Sequence, residues 1–265
     1  MMPFDTIAVA NKLLGTSYTK RELLDICYTE QARLKQQWLT SNRKDFKVYD
    51  DPGYLLDCIL SYSCVSQRCL INGERFFRAH NIPKGKALDI FNGIGLSTLH
   101  ANLVGFDCEA LSASDGQADL CQQLSKQVLG RPTVIHRDLK SLKPASFDVL
   151  FSFEVLEHFQ DPVQHLNEVL PLLKPGGHFV ESTGFKSPDH IGHFERYTVG
   201  NEQVLGRQAS TAVRKRLEQE ATKVMIGFDK KPRIWVKTLQ PKPKTMFRGI
   251  HSEMLALGLE PFYKG

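Results

Sequence analysis

The sequence predicts an α/β fold in which a mostly parallel sheet ends in an antiparallel hairpin and follows an N-terminal helical segment. From Lys86 onward, short apolar runs alternate with helical patterns, an arrangement typical of parallel βαβ units. Two apolar runs near the end, residues 223–228 and 234–239, flank the polar stretch 229–233 and predict the hairpin. The 265 residues suit one such domain with an attachment.

Residues 1–83 are expected to form a helical lid or cap. Thr19 and Glu22 have the spacing of a capping box, and apolar residues at helical spacing follow them. Asp51 and Pro52 suit the N-cap and the first residue of a later helix. Several helices are therefore expected before the first strand.

The core is expected at residues 84–239. The stretch Lys-Pro-Gly-Gly at residues 174–177 predicts a turn just before the fifth strand. The five strands that precede the hairpin are predicted at residues 87–91, 106–111, 133–136, 147–152 and 178–182. Helical patterns separate these strands, so we expect them to run parallel.

The positive charge of the chain is concentrated at its end. The whole chain carries a net charge of +5, whereas residues 206–265 hold 13 Lys/Arg against 5 Asp/Glu. A basic segment attracts the phosphates of a nucleic acid, although charge runs are commonly solvated. Residues 240–265 are interpreted as a basic C-terminal tail, and nucleic acid stays open as a partner.

The rest of the composition favours a cytoplasmic protein. No apolar run approaches the ~18–20 residues of a membrane span. The N-terminus also lacks the basic start and the apolar stretch of a signal peptide. The six cysteines include no CxxC pair, which favours reduced thiols over a disulfide framework.

A candidate cofactor loop follows the first strand. Residues 89–97 have the sequence Asp-Ile-Phe-Asn-Gly-Ile-Gly-Leu-Ser, with Gly93 and Gly95 where the strand gives way to a helix. Glycines there allow a ligand to approach the backbone, and the helix N-terminus offers free N–H groups. No Gly-Lys-Ser/Thr follows, and Thr98 stands where a dinucleotide motif has its third glycine. The loop therefore favours neither a P-loop nor a dinucleotide site.

Further motifs follow this loop in order. Arg137-Asp-Leu139 comes first, residues 146–158 then have the sequence Ser-Phe-Asp-Val-Leu-Phe-Ser-Phe-Glu-Val-Leu-Glu-His, and residues 168–177 end in Lys-Pro-Gly-Gly. In this order the motifs resemble the class I S-adenosylmethionine-dependent methyltransferases, in the broad group that includes the ubiquinone-biosynthesis type. The resemblance covers about residues 84–200. It implies a Rossmann-like fold, S-adenosyl-L-methionine as the cofactor and methyl transfer as the activity.

The resemblance also implies which residues contact the cofactor. Its methionine and ribose part falls to residues of the loop after the first strand: Asp89, Asn92, Gly93 and Gly95. Asp138 and Leu139 would flank the adenine, with the carboxylate accepting a hydrogen bond from its amino group. Phe153 and Glu154, after the fourth strand, would face the sulfonium and the acceptor.

Two positions depart from the family pattern. Phe91 stands where the family often has glycine, so the loop is expected to have a different shape. The acid that binds the ribose in the family falls on Ser112 at the end of the second strand. Asp115 and Glu109 are the acids nearby that would replace it, and the sequence does not choose between them.

A cluster of acids and histidines follows the fourth and fifth strands, where the acceptor is expected. Glu154, Glu157 and His158 stand at i, i+3 and i+4, which places them on one face of a helical turn. His193 follows the fifth strand. In one interpretation these residues are catalytic, and His158 supports the helix start or acts as a general base.

A second interpretation makes the same four residues metal ligands. Glu-x-x-Glu-His followed by His-Phe-Glu is similar to the Hen1-type RNA 2′-O-methyltransferases. That resemblance implies Mg²⁺ or Mn²⁺ held by Glu154, Glu157, His158 and His193, where the metal would lower the pKa of a bound hydroxyl. In the first interpretation the chain holds no metal.

Three functions are compatible with the sequence. The favoured one is methyl transfer to an O, N or C atom of a small or medium-sized metabolite. The alternatives are a metal-assisted RNA 2′-O-methyltransferase and a non-catalytic cofactor- or partner-binding protein on the same fold, which Phe91 and Ser112 favour. Tyr49 and Tyr54 are candidates to cover the cofactor from the N-terminal helices. Glu181, His190 and Tyr197 are further candidates near the acceptor.

Overall fold

The computed structural model describes the chain at residues 5–62, 66–91, 93–112, 114–185, 188, 190–226 and 232–238. The α-helices in these ranges are α1 (Thr6–Leu14), α2 (Lys20–Thr40), α3 (Pro52–Ser61), α4 (Ser66–Ala79), α5 (Leu96–Leu103), α6 (Asp115–Leu129), α7 (Pro162–Val169) and α8 (Gly206–Glu220). The strands are β1 (Lys86–Ile90), β2 (Asp107–Leu111), β3 (Ile135–His136), β4 (Phe147–Phe153), β5 (Leu173–Ser182), β6 (Arg196–Val199), β7 (Glu202–Leu205), β8 (Ala221–Ile226) and β9 (Arg233–Lys237). Short 3-10 helices cover Phe46–Asp50, Leu139–Ser141, Leu156–His158 and Leu170–Leu172.

A seven-stranded sheet forms the centre of the fold, with the strand order β3-β2-β1-β4-β5-β9-β8. Strands β1 to β5 run parallel, β9 is antiparallel to β5, and β8 pairs with β9 in the final hairpin. The predicted α/β fold with its mostly parallel, Rossmann-like sheet is confirmed. Because the strand order reverses between β1 and β4, a ligand crevice is expected outside the carboxyl ends of these two strands.

The fifth strand begins earlier than the sequence predicts. Residues 174–177, expected as a turn, lie inside β5, and the register with β4 shifts between Phe147 and Val149. A Cβ added at Gly177 would lie 2.9 Å from the carbonyl oxygen of Asp148 on β4, so the two backbones approach closely here. The prediction of a turn was wrong because glycine and proline also mark bulges in a strand.

Two parts of the structure were not predicted. They are the small antiparallel pair of β6 and β7, and α8, which lies within the basic segment 206–265. Helix α8 forms because Ala209, Val213 and Leu217, spaced four residues apart, are buried, whereas Arg207, Arg214 and Lys215 are exposed.

The N-terminal helices share hydrophobic clusters with the rest of the fold. Helix α2 begins at the predicted capping box of Thr19 and Glu22, and α3 begins after the predicted N-cap Asp51. Trp38 of α2 is fully buried in the same cluster as Leu88 and other strand residues. Other side chains of α1, α2 and α3 form a cluster with α5 and α6. These helices therefore lie directly over the carboxyl ends of the strands.

Some predictions fall on residues beyond the described ranges. The basic tail at residues 240–265 and Asn92 of the glycine loop are among them. In the part of the chain that is described, no helix has both the length and the apolar character that crossing a bilayer requires.

Candidate functional site

A large cavity lies between the N-terminal helices and the carboxyl ends of the central strands. Its volume is about 2440 Å³, which exceeds the roughly 300–1,000 Å³ of a usual small-molecule pocket. The loop after β1 and the start of α6 bound one end, and residues after β4 and β5 bound the other. The cavity therefore has room for two ligands side by side.

The glycine loop bounds the first end of the cavity, which we call the cofactor end. Gly93 and Gly95 have φ angles of 54° and 85°, a left-handed conformation that favours glycine. Gly93 lines the cavity, and a Cβ added there would lie 3.7 Å from the sulfur of Cys58 on α3. Gly95 is the N-cap of α5, so the first N–H groups of this helix adjoin the cavity.

Asp89 is buried between β1 and the first turn of α5. Its carboxylate accepts hydrogen bonds from the hydroxyls of Ser97 and Thr98, the latter at 2.8 Å. Burial raises the pKa of Asp89 to about 7, although the two hydroxyl donors act in the opposite direction. The side chain lines the cavity and fixes the two ends of the glycine loop relative to each other.

The backbone conformation of Phe91 shows why the family often has glycine at this position. Its φ angle is 49°, a left-handed value that is costly for a bulky residue and that glycine adopts freely. The ring packs against Phe159 and His165, with centroid distances of 5.1 and 5.4 Å. The ring borders the cavity without closing it, because Gly93 also remains part of the lining.

The residues after β2 and β3 that were predicted to bind the cofactor do not reach the cavity. Ser112 is buried, and its hydroxyl donates to the carbonyl oxygen of Ser114 at 3.1 Å. Asp138 is exposed and caps the 3-10 helix that begins at Leu139. None of the predicted residues Ser112, Asp138 and Leu139 lines the cavity, whereas Ser114 does.

Of the two acids considered in place of Ser112, one reaches the cavity. Glu109 binds Lys86 and His136, each at 2.7 Å, and is not part of the lining. The side chain of Asp115 is 96% exposed, lines the cavity and pairs with Arg137 at 2.6 Å. Asp115 is therefore the better placed of the two to contact a ligand.

Glu154 and Glu157 converge at the opposite end of the cavity, which we call the acceptor end. Glu154 follows β4 in a left-handed conformation, with φ at 54°. Glu157 is fully buried, and its Oε1 accepts a hydrogen bond from the backbone N–H of Gly184 after β5. A Cβ added at Gly184 would lie 2.8 Å from an oxygen of each carboxylate, so both acids reach this point only because it is glycine. Phe153 lines the cavity beside them.

His158 ends the 3-10 helix Leu156–His158 and contacts three neighbours at the acceptor end. Its Nδ1 lies 3.1 Å from the hydroxyl oxygen of Tyr49, and the ring of His193 packs edge-on with centroids 4.8 Å apart. Gly192, with φ at 81°, has no room for a Cβ, which would clash with both His158 and Tyr49. Burial lowers the pKa of His158 well below its usual value, and His193 and His190 add to the effect. The imidazole is therefore neutral near pH 7.

Glu181, whose direction the sequence leaves open, points to β9. Its two carboxylate oxygens accept hydrogen bonds from Nε and Nη2 of Arg233, and Nη2 also donates to the hydroxyl of Thr183 at 2.7 Å. Burial acts to lower the pKa of Arg233, but the charges of Glu181, Glu154 and Glu157 outweigh it and raise the pKa. Arg233 lines the cavity and brings a positive charge close to the two acids of the acceptor end.

The remaining candidates have different surroundings. Tyr54 packs edge-on against Tyr49, with centroids 5.0 Å apart, and His190 packs against His193 at 4.9 Å; Tyr54 and His190 both line the cavity. Tyr197 is buried outside the lining, where its hydroxyl donates to the carbonyl oxygen of Glu157 at 3.1 Å. Tyr197 therefore supports the turn that carries Glu157.

The N-terminal helices are fastened to the segment after β5, a connection that the sequence does not predict. The Arg43 guanidinium donates to the carbonyl oxygens of Pro188 and His193 at 2.6 and 2.8 Å. The indole N–H of Trp38 donates to the same oxygen of His193 at 3.0 Å. These hydrogen bonds join side chains to backbone carbonyl oxygens more than a hundred positions away. No local sequence pattern specifies such a contact, so the sequence gives no signal of it.

The metal interpretation finds no support in this geometry. Among the described residues, which include all four suggested ligands, no group of three or more His, Cys, Asp and Glu side chains is placed to hold a metal ion. His158 contacts Tyr49 and His193, and Glu157 binds the Gly184 N–H. The four residues do meet at one end of the cavity, as both interpretations expect.

The central part of the chain is similar to a known family. Residues 88–180 match the profile of a family described as a methyltransferase domain. The match covers 93 of the 265 residues. The matched residues run from β1 to β5 and include the glycine loop and the Glu154–His158 segment, and we call them the methyltransferase domain after the profile that they match.

Two curated relatives resemble the methyltransferase domain. A ubiquinone biosynthesis O-methyltransferase from Paraburkholderia phymatum is 33% identical over 101 residues, which is 37% of this chain and 44% of that protein. A mitochondrial ubiquinone biosynthesis O-methyltransferase from Schizosaccharomyces pombe is 33% identical over 112 residues, or 40% and 41% of the two chains. The chain thus spans less than half the length of these relatives.

Two solved structures share the fold of the methyltransferase domain. A putative S-adenosyl-L-methionine-dependent methyltransferase from Methanococcus maripaludis is 14% identical, with 74% of this chain and 96% of that chain covered and a TM-score of 0.52. A magnesium protoporphyrin IX methyltransferase from Synechocystis, solved with bound S-adenosylmethionine, is 14% identical, with 79% and 97% covered and a TM-score of 0.51. At this identity the likeness concerns the fold.

Proposed function

We propose that the chain transfers the methyl group of S-adenosyl-L-methionine to a small or medium-sized metabolite. The observation that carries the proposal is the cavity that joins the glycine loop at one end to Glu154, Glu157 and His158 at the other. The curated relatives are O-methyltransferases, which favours a hydroxyl over a nitrogen or carbon atom as the acceptor.

The residues at the cofactor end fit S-adenosylmethionine. The left-handed Gly93 and Gly95 permit a close approach to the backbone, and the N–H groups at the start of α5 suit a carboxylate. We assign Asp115, which lines the cavity at this end, to the ribose. Asp89, Phe91 and Phe153 also line the cavity and are assigned to the cofactor. The sequence assigns Asn92, Ser112, Asp138 and Leu139 to it as well, and of these Ser112, Asp138 and Leu139 lie outside the lining.

The acceptor end suits removal of a proton from a hydroxyl group. The bound cofactor supplies a methyl group that its sulfonium already activates, so the protein contributes mainly positioning and exclusion of water. The neutral His158 is the candidate general base, and the packing of Tyr49 and His193 fixes its ring. Glu154 and Glu157 would orient the acceptor beside it.

We favour a small acceptor over RNA. The RNA interpretation rested on a metal site, and no group within the described ranges is arranged to form one. We also place the activity in the cytoplasm, because the six cysteines of the sequence include no CxxC pair, as expected where thiols are kept reduced.

Calorimetry with S-adenosylmethionine and S-adenosylhomocysteine tests the proposal. The wild type is expected to bind both, and Gly93→Ala is expected to weaken binding at least about tenfold, because a side chain strains the loop and narrows the cavity. Gly130→Ala is the matched control, since Gly130 has a φ angle of 69° in open space at the end of α6. Failure of the wild type to bind either compound would overturn the proposal.

A further inference from the structure

The charged side chains that line the cavity are mostly acidic in its interior and mostly basic at its mouth. The interior holds four acids and two arginines: Asp57, Asp89, Glu154, Glu157, Arg43 and Arg233. Five exposed cations line the mouth beside α8 and the 3-10 helix Phe46–Asp50, and we call them the basic rim: Lys44, Lys47, Arg196, Arg207 and Arg214. Glu195 is the exposed acid among them, while Asp50 binds the N–H of Gly116 at the start of α6.

The cations of the basic rim are available to a ligand. Within the described part of the chain, the side chains of Lys44, Lys47, Arg196 and Arg207 form no ion pair, and Arg214 has only a loose contact with Glu218 at 3.8 Å. Unpaired like charges lining one opening repel each other and attract an anion.

Arg207 lies close to the acceptor end. The carboxylates of Glu154 and Glu157 meet at Gly184, and the next residue, Phe185, places its carbonyl oxygen against Gly206, the first residue of α8. Consecutive Cα atoms are about 3.8 Å apart. The path from the two carboxylates to Arg207 is therefore a few residues long, within the span of a small metabolite.

Three of the other cations, Lys44, Lys47 and Arg196, also connect to the acceptor end by short paths. Phe46, between Lys44 and Lys47, stacks on Tyr49 with centroids 6.2 Å apart, and Tyr49 contacts His158. Gln160, two residues after His158, donates through its side-chain amide to the carbonyl oxygen of Arg196 at 2.8 Å.

We propose that the basic rim binds an anionic group, a carboxylate or a phosphate, on the acceptor while the atom to be methylated lies against Glu154 and His158. Phe46 and Leu205 are 52% and 53% exposed and line the mouth among the cations, so they contact an apolar part of the same molecule. The inference rests on the proposed function and narrows its substrate class to anionic metabolites with an apolar or aromatic body.

Three aryl compounds of different charge test this inference by calorimetry on the full chain, with and without S-adenosylhomocysteine. They are 3,4-dihydroxybenzoate, 3,4-dihydroxybenzyl alcohol and 3,4-dihydroxybenzylamine, which carry a negative, zero and positive charge. The anion is expected to bind about tenfold more tightly than the neutral compound, and its advantage is expected to shrink as salt is added. A dihydroxyphenyl phosphate distinguishes a preference for phosphate from one for carboxylate.

A pair of variants on one helix assigns the effect to the basic rim. Arg207→Gln is expected to weaken binding of the anion about three- to tenfold and to leave the neutral compound unchanged. Lys215→Gln removes the same charge from an exposed position of α8 that does not line the cavity, and it is expected to change neither. The double variant Lys44→Gln/Lys47→Gln, with Lys20→Gln/Lys35→Gln on α2 as its control, tests the opposite wall in the same way.

Several results would overturn the inference. They are equal binding of the three compounds, binding of none of them, or equal effects of Arg207→Gln and Lys215→Gln. Displacement of the anion by a short single-stranded RNA at a lower concentration would assign the basic rim to nucleic acid instead. Loss of cofactor binding in the wild type would refute the proposed function, whereas a charge preference without the cofactor would still support an anion site.

Discussion

Two tyrosine–histidine pairs join the N-terminal helices to the methyltransferase domain, and they have different consequences. The hydroxyl oxygen of Tyr62 lies 3.0 Å from Nδ1 of His100 near the cofactor end, and that of Tyr49 lies 3.1 Å from Nδ1 of His158 at the acceptor end. The His100 ring is buried in α5 and does not line the cavity, whereas the His158 ring lines it. The same contact therefore anchors the helices at one end and fixes the ring of the proposed general base at the other.

The backbone around the two pairs differs as well. Gly192 presses against both members of the pair at the acceptor end, and its side-chain hydrogen is all that fits there. At the cofactor end, Asp89 and the hydroxyls of α5 hold the loop, and the histidine has no part in that contact. Close backbone packing thus fixes the positions of His158 and Tyr49 at the acceptor end. At the cofactor end, a buried acid holds the glycine loop instead.

Gly192→Ala is expected to have the largest effect on this comparison. The new methyl group displaces His158 and Tyr49, and misplacement of a reacting group by about 1 Å lowers kcat about 100-fold. The measurement is the rate of methyl transfer to the preferred dihydroxyaryl compound. Gly200→Ala is the control, because Gly200 has a φ angle of 61° with open space around it. Equal rates for the two variants would contradict the role given to the packing at Gly192.

Asp89→Asn tests the buried acid through the pH dependence of stability. The pKa of Asp89 is raised to about 7, so between about pH 4 and pH 7 the folded chain keeps a proton that the unfolded chain has lost. The wild type therefore loses stability as the pH rises through this range, by about 1.4 kcal/mol for each pKa unit of difference. Asp89→Asn is expected to lack that loss.

Urea denaturation of the wild type and Asp89→Asn at pH 4.5 and pH 7.5 measures this effect. The exposed Asp115 offers a control, since Asp115→Asn removes a carboxylate from the opening of the same end of the cavity. If Asp89→Asn and the wild type have parallel pH profiles, Asp89 is ionised in the folded state throughout and the assignment of a raised pKa is wrong.

Tyr49→Phe and Tyr62→Phe compare the two pairs directly. Each removes one hydroxyl contact, so each is expected to cost about 1 kcal/mol in the free energy of unfolding. Tyr49→Phe is also expected to lower kcat about five- to tenfold with little change in cofactor affinity, because His158 loses the contact that fixes its ring. Tyr62→Phe is expected to retain kcat. A similar fall in kcat for both variants would show that the pairs act alike.

Phe91→Gly compared with Phe91→Ala measures the strain stored at the cofactor end, the smallest of these effects. Both variants lose the ring contacts with Phe159 and His165, but only glycine relieves the left-handed φ of 49°. Phe91→Gly is therefore expected to be more stable than Phe91→Ala by about 1 kcal/mol in urea denaturation. A glycine variant no more stable than the alanine variant would show that the position carries no backbone strain.

The sequence predicts the central sheet well because each strand is a short apolar run between glycine, proline or polar residues. It predicts β3 too long, since Val134 is 54% exposed and the strand begins only at Ile135. It misses α8 because the arginines and lysines of that segment obscure the spacing of Ala209, Val213 and Leu217. That spacing is the signal that would have revealed the helix.

At the site, a local motif predicts the candidate residues that lie within one loop or turn. It does not predict contacts between segments that are distant in the sequence. The glycine loop and the Glu154–His158 segment are found from short patterns that the resemblance interprets. The contacts of Tyr49 with His158 and of Arg43 with Pro188 and His193 join residues more than a hundred positions apart. They depend on where the N-terminal helices lie, which no local pattern specifies.

The 3-10 helix Phe46–Asp50 borders both ends of the cavity. The carboxylate of Asp50 accepts from the N–H of Gly116 at 2.9 Å, and Gln117 of α6 donates to the carbonyl oxygen of Tyr49 at 3.3 Å, while the Tyr49 hydroxyl contacts His158. One short turn therefore contacts residues at both ends of the cavity. A shift of this turn would move the residues at the two ends together, which couples the cofactor end to the acceptor end.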